Sequence, residues 1–278
     1  MSAIDYEAEY NNRARVPEHP QIFARWAQGA QSFRASHKNA EFGVRYGASA
    51  RQYVDYFWPA TDRSAPIALF IHGGYWRSLD PGAFSHFAAG ANGHGLAFAL
   101  AGYDLCPAAT IETIIEQMQA ATAFLYRRHK RRILACGHSA GGHLTACLVA
   151  TDWKKYGADL PADLVPAGLS ISGLFDLAPL MQTGMNEDLR LDAASAARVS
   201  PLFWDVAPGR TLDAWVGGDE SGEFLRQSRA IEENWGEKGV ATEYVAAPDA
   251  NHFTVLDPLA SPESDITKTL AHLARAVH

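Results

Sequence analysis

The chain has 278 residues, of which 47% are hydrophobic and 20% charged, enough apolar mass to bury one large core. Its formal net charge of −7 offers neither a nucleic acid nor an anionic membrane the basic face that each rewards. Three cysteines, Cys106, Cys136 and Cys147, lack paired spacing and suggest neither a disulfide framework nor a zinc site.

Reduced thiols fit a cytoplasmic protein. The stretch from Met1 to Asn12 is polar and acidic, without the basic and apolar regions of a secretory signal, and no apolar run approaches membrane-spanning length. One domain over 1–278 is expected, with a small-molecule substrate as its partner; a homodimer is compatible with the chain.

Residues 1–40 place Ile22, Phe23, Trp26 and Phe33 at spacings that suit one or two amphipathic helices, a packing arm on the domain. Two alternating stretches, 41–46 and 51–58, read as an opening hairpin turned at Gly47-Ala48-Ser49 and ended by Pro59. The continuous apolar run 66–71 reads as a strand buried on both faces of a parallel sheet, and it empties into His72-Gly73-Gly74-Tyr75-Trp76. Beyond it the pattern alternates: helix 81–92, strand 96–102, a helical stripe through Ile111, Ile114, Ile115, Met118 and Leu125, then the strand Arg132 to Ala135. Strand 167–171 follows, then an irregular segment of about 175–208 with Pro179, Pro201 and Pro208, too long for an ordinary connection and patterned like a lid. Strand 212–216, helix 222–236, strand 240–246 and helix 262–276 finish the chain. Alternating β and α predicts an α/β fold with a mostly parallel sheet, helices on both faces and functional loops at the strands' carboxyl ends.

Between the fifth of these strands and its helix lies Cys136-Gly137-His138-Ser139-Ala140-Gly141-Gly142-His143. Gly137 and Gly141 bracket Ser139 in a G-x-S-x-G pattern, where small neighbours make room for a serine on a strained strand-to-helix turn. A serine hydroxyl needs a base to remove its proton, and the base needs an acid to fix its tautomer. Among eleven histidines, His252 is the best placed, in a polar turn after the strand ending near Ala246. His138 and His143, flanking the elbow, read as structural. The acid falls in Val216-Gly217-Gly218-Asp219-Glu220, where Glu220 is preferred to Asp219 and Asp176 is a third candidate. An oxyanion requires preorganised N–H donors, which Gly73, Gly74 and Ala140 can supply. Serine chemistry of this kind needs no cofactor, and no metal-ligand spacing appears. The aromatic side chains expected at the mouth of the site are Tyr75, Trp76, Tyr103, Phe175, Trp204 and Phe253, a set suited to a flat ring.

Six stretches, His72 to Trp76, Gly102 to Pro107, Gly137 to Leu144, Ser172 to Leu177, Asn186 to Pro201 and Glu220 to Ser228, together resemble the α/β-hydrolase-fold kynurenine formamidases, or arylformamidases. The resemblance runs from about residue 60 to 255. It implies an α/β-hydrolase fold and hydrolysis of N-formyl-L-kynurenine to kynurenine and formate, with serine, acid and histidine at Ser139, Glu220 and His252. Two positions depart from the animal enzymes, which carry aspartate where Glu220 stands and Asp-His-Phe where this chain has Asn251-His252-Phe253. Many relatives with the His-Gly-Gly signature are carboxylesterases, so short-chain esters are the alternative substrates.

Overall fold

A computed structural model describes residues 4–61 and 63–277; residues 1–3, 62 and 278 of the expected domain lie outside it. The arm consists of three helices, α1 (Tyr6–Tyr10), α2 (Asn12–Arg15) and α3 (His19–Ser36). An opening hairpin follows, β1 (Ala40–Arg45) and β2 (Tyr53–Phe57), and then β3 (Ile67–Ile71). The expected helix over 81–92 is a 3₁₀ segment, Pro81–Phe87, continued by α4 (Ala88–Gly93). Gly82 near its start disfavours α-helix, and the Asp80 carboxylate accepts from the Gly82 N–H at 3.0 Å.

The remaining elements alternate: β4 (Ala97–Ala101), α5 (Ile111–His129), β5 (Ile133–His138), α6 (Ala140–Ala150), α7 (Trp153–Tyr156) and β6 (Ala167–Ile171). The 175–208 segment holds two 3₁₀ turns and the short helices α8 (Asn186–Leu189) and α9 (Ala193–Arg198). The chain closes with β7 (Thr211–Gly217), α10 (Gly222–Glu237), β8 (Ala241–Ala247) and α11 (Asp265–Val277).

The eight strands form one sheet in the order β1-β2-β4-β3-β5-β6-β7-β8. β1, β2 and β4 pair antiparallel, and every pairing from β4 to β8 is parallel. Strands β3, β4, β5 and β6 are buried throughout, because helices cover both faces. Alternation splits β3 between two cores: Ile67, Leu69 and Ile71 join the α5 and α6 layer, whereas Ala68 and Phe70 join the layer of α3, α4 and α11. No helix among the described residues is long and apolar enough to cross a membrane.

Strand order fixes where chemistry can occur. The chain leaves β3 toward β4 and returns past it to β5, so the loops after β3 and β5 emerge side by side at the carboxyl edge of the sheet. Helix α3 packs above that edge. Its buried stripe, Ile22, Trp26 and Ala30, recurs every four residues, and Trp26 meets Phe84 and Phe87 with ring centroids 5.7 Å apart in each case. Burying a side chain of this size contributes about 1.5–3 kcal/mol, so the arm is part of the core on one side.

Candidate active site

Ser139 ends β5 and precedes α6 with φ 56° and ψ −118°, a conformation that an L-residue adopts only under constraint. Room for the turn comes from Gly141, where a Cβ would overlap the Ile71 carbonyl oxygen, and from Gly73, where it would lie 3.0 Å from the Ser139 Cβ. The serine is 2% exposed and lines a cavity of about 280 Å³.

His252 borders the same cavity, in the loop after β8. Asp249 turns that loop with φ 54°, and the Asn251 side-chain oxygen accepts from the N–H groups of Phe253 and Thr254 at 3.0 Å each. Asparagine therefore fills the capping role for which an aspartate oxygen would also serve, and the departure leaves the loop geometry served. The Nδ1 of His252 lies 2.6 Å from Oε2 of Glu220. A carboxylate accepts there, so Nδ1 carries a proton and Nε2 is left as the ring nitrogen able to accept one.

Glu220 is held on three sides. Its Oε1 accepts from the Ser172 hydroxyl at 2.5 Å and from the Gly217 N–H at 2.7 Å, and the next residue, Ser221, caps α10. Asp219 is exposed and Asp176 caps the Ala178 N–H at 3.1 Å, so neither carboxylate is the one that meets His252. Ser172, itself at φ 52° and fully buried, is a site residue that sequence reasoning did not single out, being 48 positions from its partner.

His138 holds the histidine loop from beneath. Burial, followed by the neighbouring His252, lowers it well below its usual value, so the ring is neutral. Its Nε2 lies 2.7 Å from the His252 carbonyl, which can only accept, and this fixes the proton on Nε2.

The loop after β3 is strained in series: Gly74, Tyr75 and Trp76 have φ of 107°, 50° and 53°. His72 anchors it through Nδ1, which donates to the Gly73 carbonyl at 2.7 Å. Its ring stacks on Tyr103 at 4.3 Å, and the Tyr103 hydroxyl donates to the His72 carbonyl at 2.8 Å. The Tyr75 hydroxyl donates to the carbonyl of Tyr10 at 2.7 Å and accepts from the Asn12 amide at 3.3 Å. Burial holds Tyr75 well above the usual phenol range, so it remains a donor.

Of the six aromatic residues expected at the mouth, Tyr75 and Phe253 line the cavity. Trp76, Tyr103 and Phe175 are fully buried elsewhere, and Trp204 packs with its Nε1 donating to the Arg198 carbonyl at 2.9 Å. Trp76 turns under the loop onto His143, rings 4.9 Å apart and perpendicular, which makes it a support and not a wall. The missing walls come from the arm and from the 3₁₀ turn, as Phe23, Trp26 and Phe84. The 175–208 segment adds Gly184, Met185 and Asp188. Gln227 ties arm to segment: its oxygen accepts from the N–H groups of Phe175 and Asp176 at 2.8 and 2.9 Å, while its amide donates to the Tyr10 hydroxyl at 3.0 Å.

An elbow serine, a histidine oriented by a buried carboxylate, and glycine backbone beside the serine form an arrangement that can transfer an acyl group. Comparison with known proteins agrees. The BD-FAE family model matches residues 54–165. The kynurenine formamidase of Salmo salar is 28% identical over 241 residues, covering 82% of this chain and 79% of its own. A solved structure from Silicibacter sp., provisionally described as a thioesterase, is 33% identical, covers 96% of this chain and 98% of its own, and superposes with a TM-score of 0.85. The esterase of Pyrobaculum calidifontis shares the fold at 15% identity, with 93% of each chain covered and a TM-score of 0.73. The chain belongs to the α/β-hydrolase superfamily, is similar to kynurenine formamidases over about four-fifths of its length, and is a hydrolase.

Proposed function

We propose that the chain is a serine hydrolase that cleaves aryl formamides, N-formyl-L-kynurenine first among them, using Ser139, His252 and Glu220. The observation that carries this reading is the 2.6 Å pairing of His252 with Glu220 beside a strained serine, on the wall of a cavity bounded by Phe23, Trp26, Phe84 and Phe253. His252 Nε2 takes the Ser139 proton as Oγ adds to the formyl carbon, and the oxyanion receives N–H bonds from Gly73, Gly74 and Ala140. Collapse breaks the C–N bond, the proton passes from His252 to the leaving aryl amine, and a formyl ester remains on Ser139. Water, activated by the same ring, releases formate.

Close approach of Gly73 to Ser139 supports a small acyl group. Aromatic walls support a flat leaving group. The 175–208 segment serves as a lid on a single hydrolase domain, and three buried free cysteines support a reducing, cytoplasmic setting. Short-chain esters are the second reading, favoured by the description of the 33% identical Silicibacter structure as a thioesterase. Formate released from N-formyl-L-kynurenine, together with fluorophosphonate labelling, both abolished by Ser139→Ala, is the expected result. Folded protein that neither labels nor releases formate contradicts the assignment and fits a binding module.

A further inference from the structure

We propose that Arg13 forms a carboxylate subsite at the rim of this cavity and selects aryl substrates that carry an anionic side group. The inference rests on the aryl-formamide reading and extends it to the substrate's polar end.

Four charged side chains line the cavity: Glu7, Arg13, Arg77 and Asp188. Three are already engaged. Arg77 pairs with Asp188 at 2.6 Å, and Glu7 accepts from the Gly184 N–H at 2.9 Å and from the Asn11 amide at 3.1 Å. Among the described residues Arg13 forms no salt bridge, and its guanidinium lies 5.9 Å from the centroid of the Phe23 ring. Phe23 meets Phe253 edge-on at 5.1 Å, and Phe253 adjoins the base His252. From the reacting atoms outward the wall therefore runs His252, Phe253, Phe23, Arg13.

An aryl ring against Phe23 and Phe253, with its formyl group at Ser139, directs its remaining substituent toward Arg13. A carboxylate is welcome there and nowhere else on the lining, because Glu7 and Asp188 repel it and Asp188 neutralises Arg77. The guanidinium fork suits a carboxylate, and α2 is fixed in place by the Asn11 cap on the Ala14 N–H at 3.2 Å and by the bond from Asn12 to Tyr75. Arg13 itself is exposed, so solvent limits the effect to about tenfold.

The test is a ratio: kcat/KM for N-formyl-L-kynurenine over kcat/KM for the same formamide lacking the α-carboxylate. Arg13→Gln is expected to lower this ratio about tenfold, through KM, and Arg13→Lys to recover part of it. A ratio unchanged by Arg13→Gln overturns the subsite, whether or not both values fall together. If wild-type protein cleaves neither formamide but cleaves p-nitrophenyl acetate, the formamidase reading fails separately. The subsite is then judged by inhibition of ester hydrolysis: kynurenine must lose affinity relative to its decarboxylated amine in Arg13→Gln, and equal behaviour of the two overturns it.

Discussion

The phenol of Tyr75 donates to the main-chain carbonyl of Tyr10 at 2.7 Å, which ties the strained loop after β3 to the N-terminal arm. Tyr10 in turn donates its hydroxyl to Glu223 at 2.8 Å, and Glu223 is paired with Arg226, so the loop is braced against α10 through the arm. Tyr75→Phe removes both hydrogen bonds of the phenol, to Tyr10 and from Asn12, and relaxes the loop that carries Gly73 and Gly74. A stability loss of about 1 kcal/mol and a fall in kcat of roughly tenfold are expected, read by urea denaturation and steady-state kinetics. Unchanged kcat would show that the arm does not position the loop.

Glu220→Gln is expected to lower kcat by roughly 10³–10⁴, because the amide no longer fixes His252 in the tautomer with Nε2 free. Asp219→Asn should change kcat by less than about threefold, since Asp219 is exposed and the carboxylate that meets His252 is that of Glu220. The opposite order of effects would transfer the acid's role to Asp219.

Ser172→Ala removes the 2.5 Å donor to Glu220 Oε1 but leaves the Gly217 N–H in place. We expect kcat to fall about tenfold while KM is held, the mark of a residue that acts through Glu220 and not on the substrate. A change confined to KM would argue against that role.

Acid stability follows from buried neutral histidines. Burial lowers His72 and His143 from 6.5 to about 4, and His138 shifts in the same direction for the same cause. Between pH 6.5 and 4 the unfolded chain binds protons that these rings refuse, so their contribution is intact above 6.5 and is lost as pH falls through that window. The slope is about 1.4 kcal/mol per pH unit for each ring. Asp213, raised to about 6 by burial and then by Glu243, works the other way between 6 and 3.8. The urea midpoint should therefore be lower at pH 5 than at pH 7, with a net loss of about 2–3 kcal/mol in stability from His72, His143 and Asp213 together and a further loss from His138. An equal or higher midpoint at pH 5 would mean that the rings are solvated.

Much of this architecture is legible in the sequence where the signal is local. β3 and β5 announce themselves as unbroken apolar runs because both faces are covered. Ser139 is found from its glycine brackets, and His252 from its place after β8. Long-range packing is not legible in this way. The spacing of Ile22, Phe23, Trp26 and Phe33 predicts a helix with a buried side, but nothing in that spacing says that Phe23 and Trp26 face the cavity. Ser172 and Gln227 act on partners 48 and 51 or more positions away, and Tyr10 on one 213 away. The loop after β3 misleads for a different reason. Left-handed backbone at Tyr75 and Trp76 sends one ring to the cavity and the next into the core on His143, a choice that sequence adjacency conceals.

The most direct test of the account is kcat/KM for N-formyl-L-kynurenine against p-nitrophenyl acetate on one preparation, with Ser139→Ala as the control. The formamide value is expected to equal or exceed the ester value, and both are expected to vanish in Ser139→Ala. A formamide value far below the ester value would contradict it and leave a small-ester hydrolase.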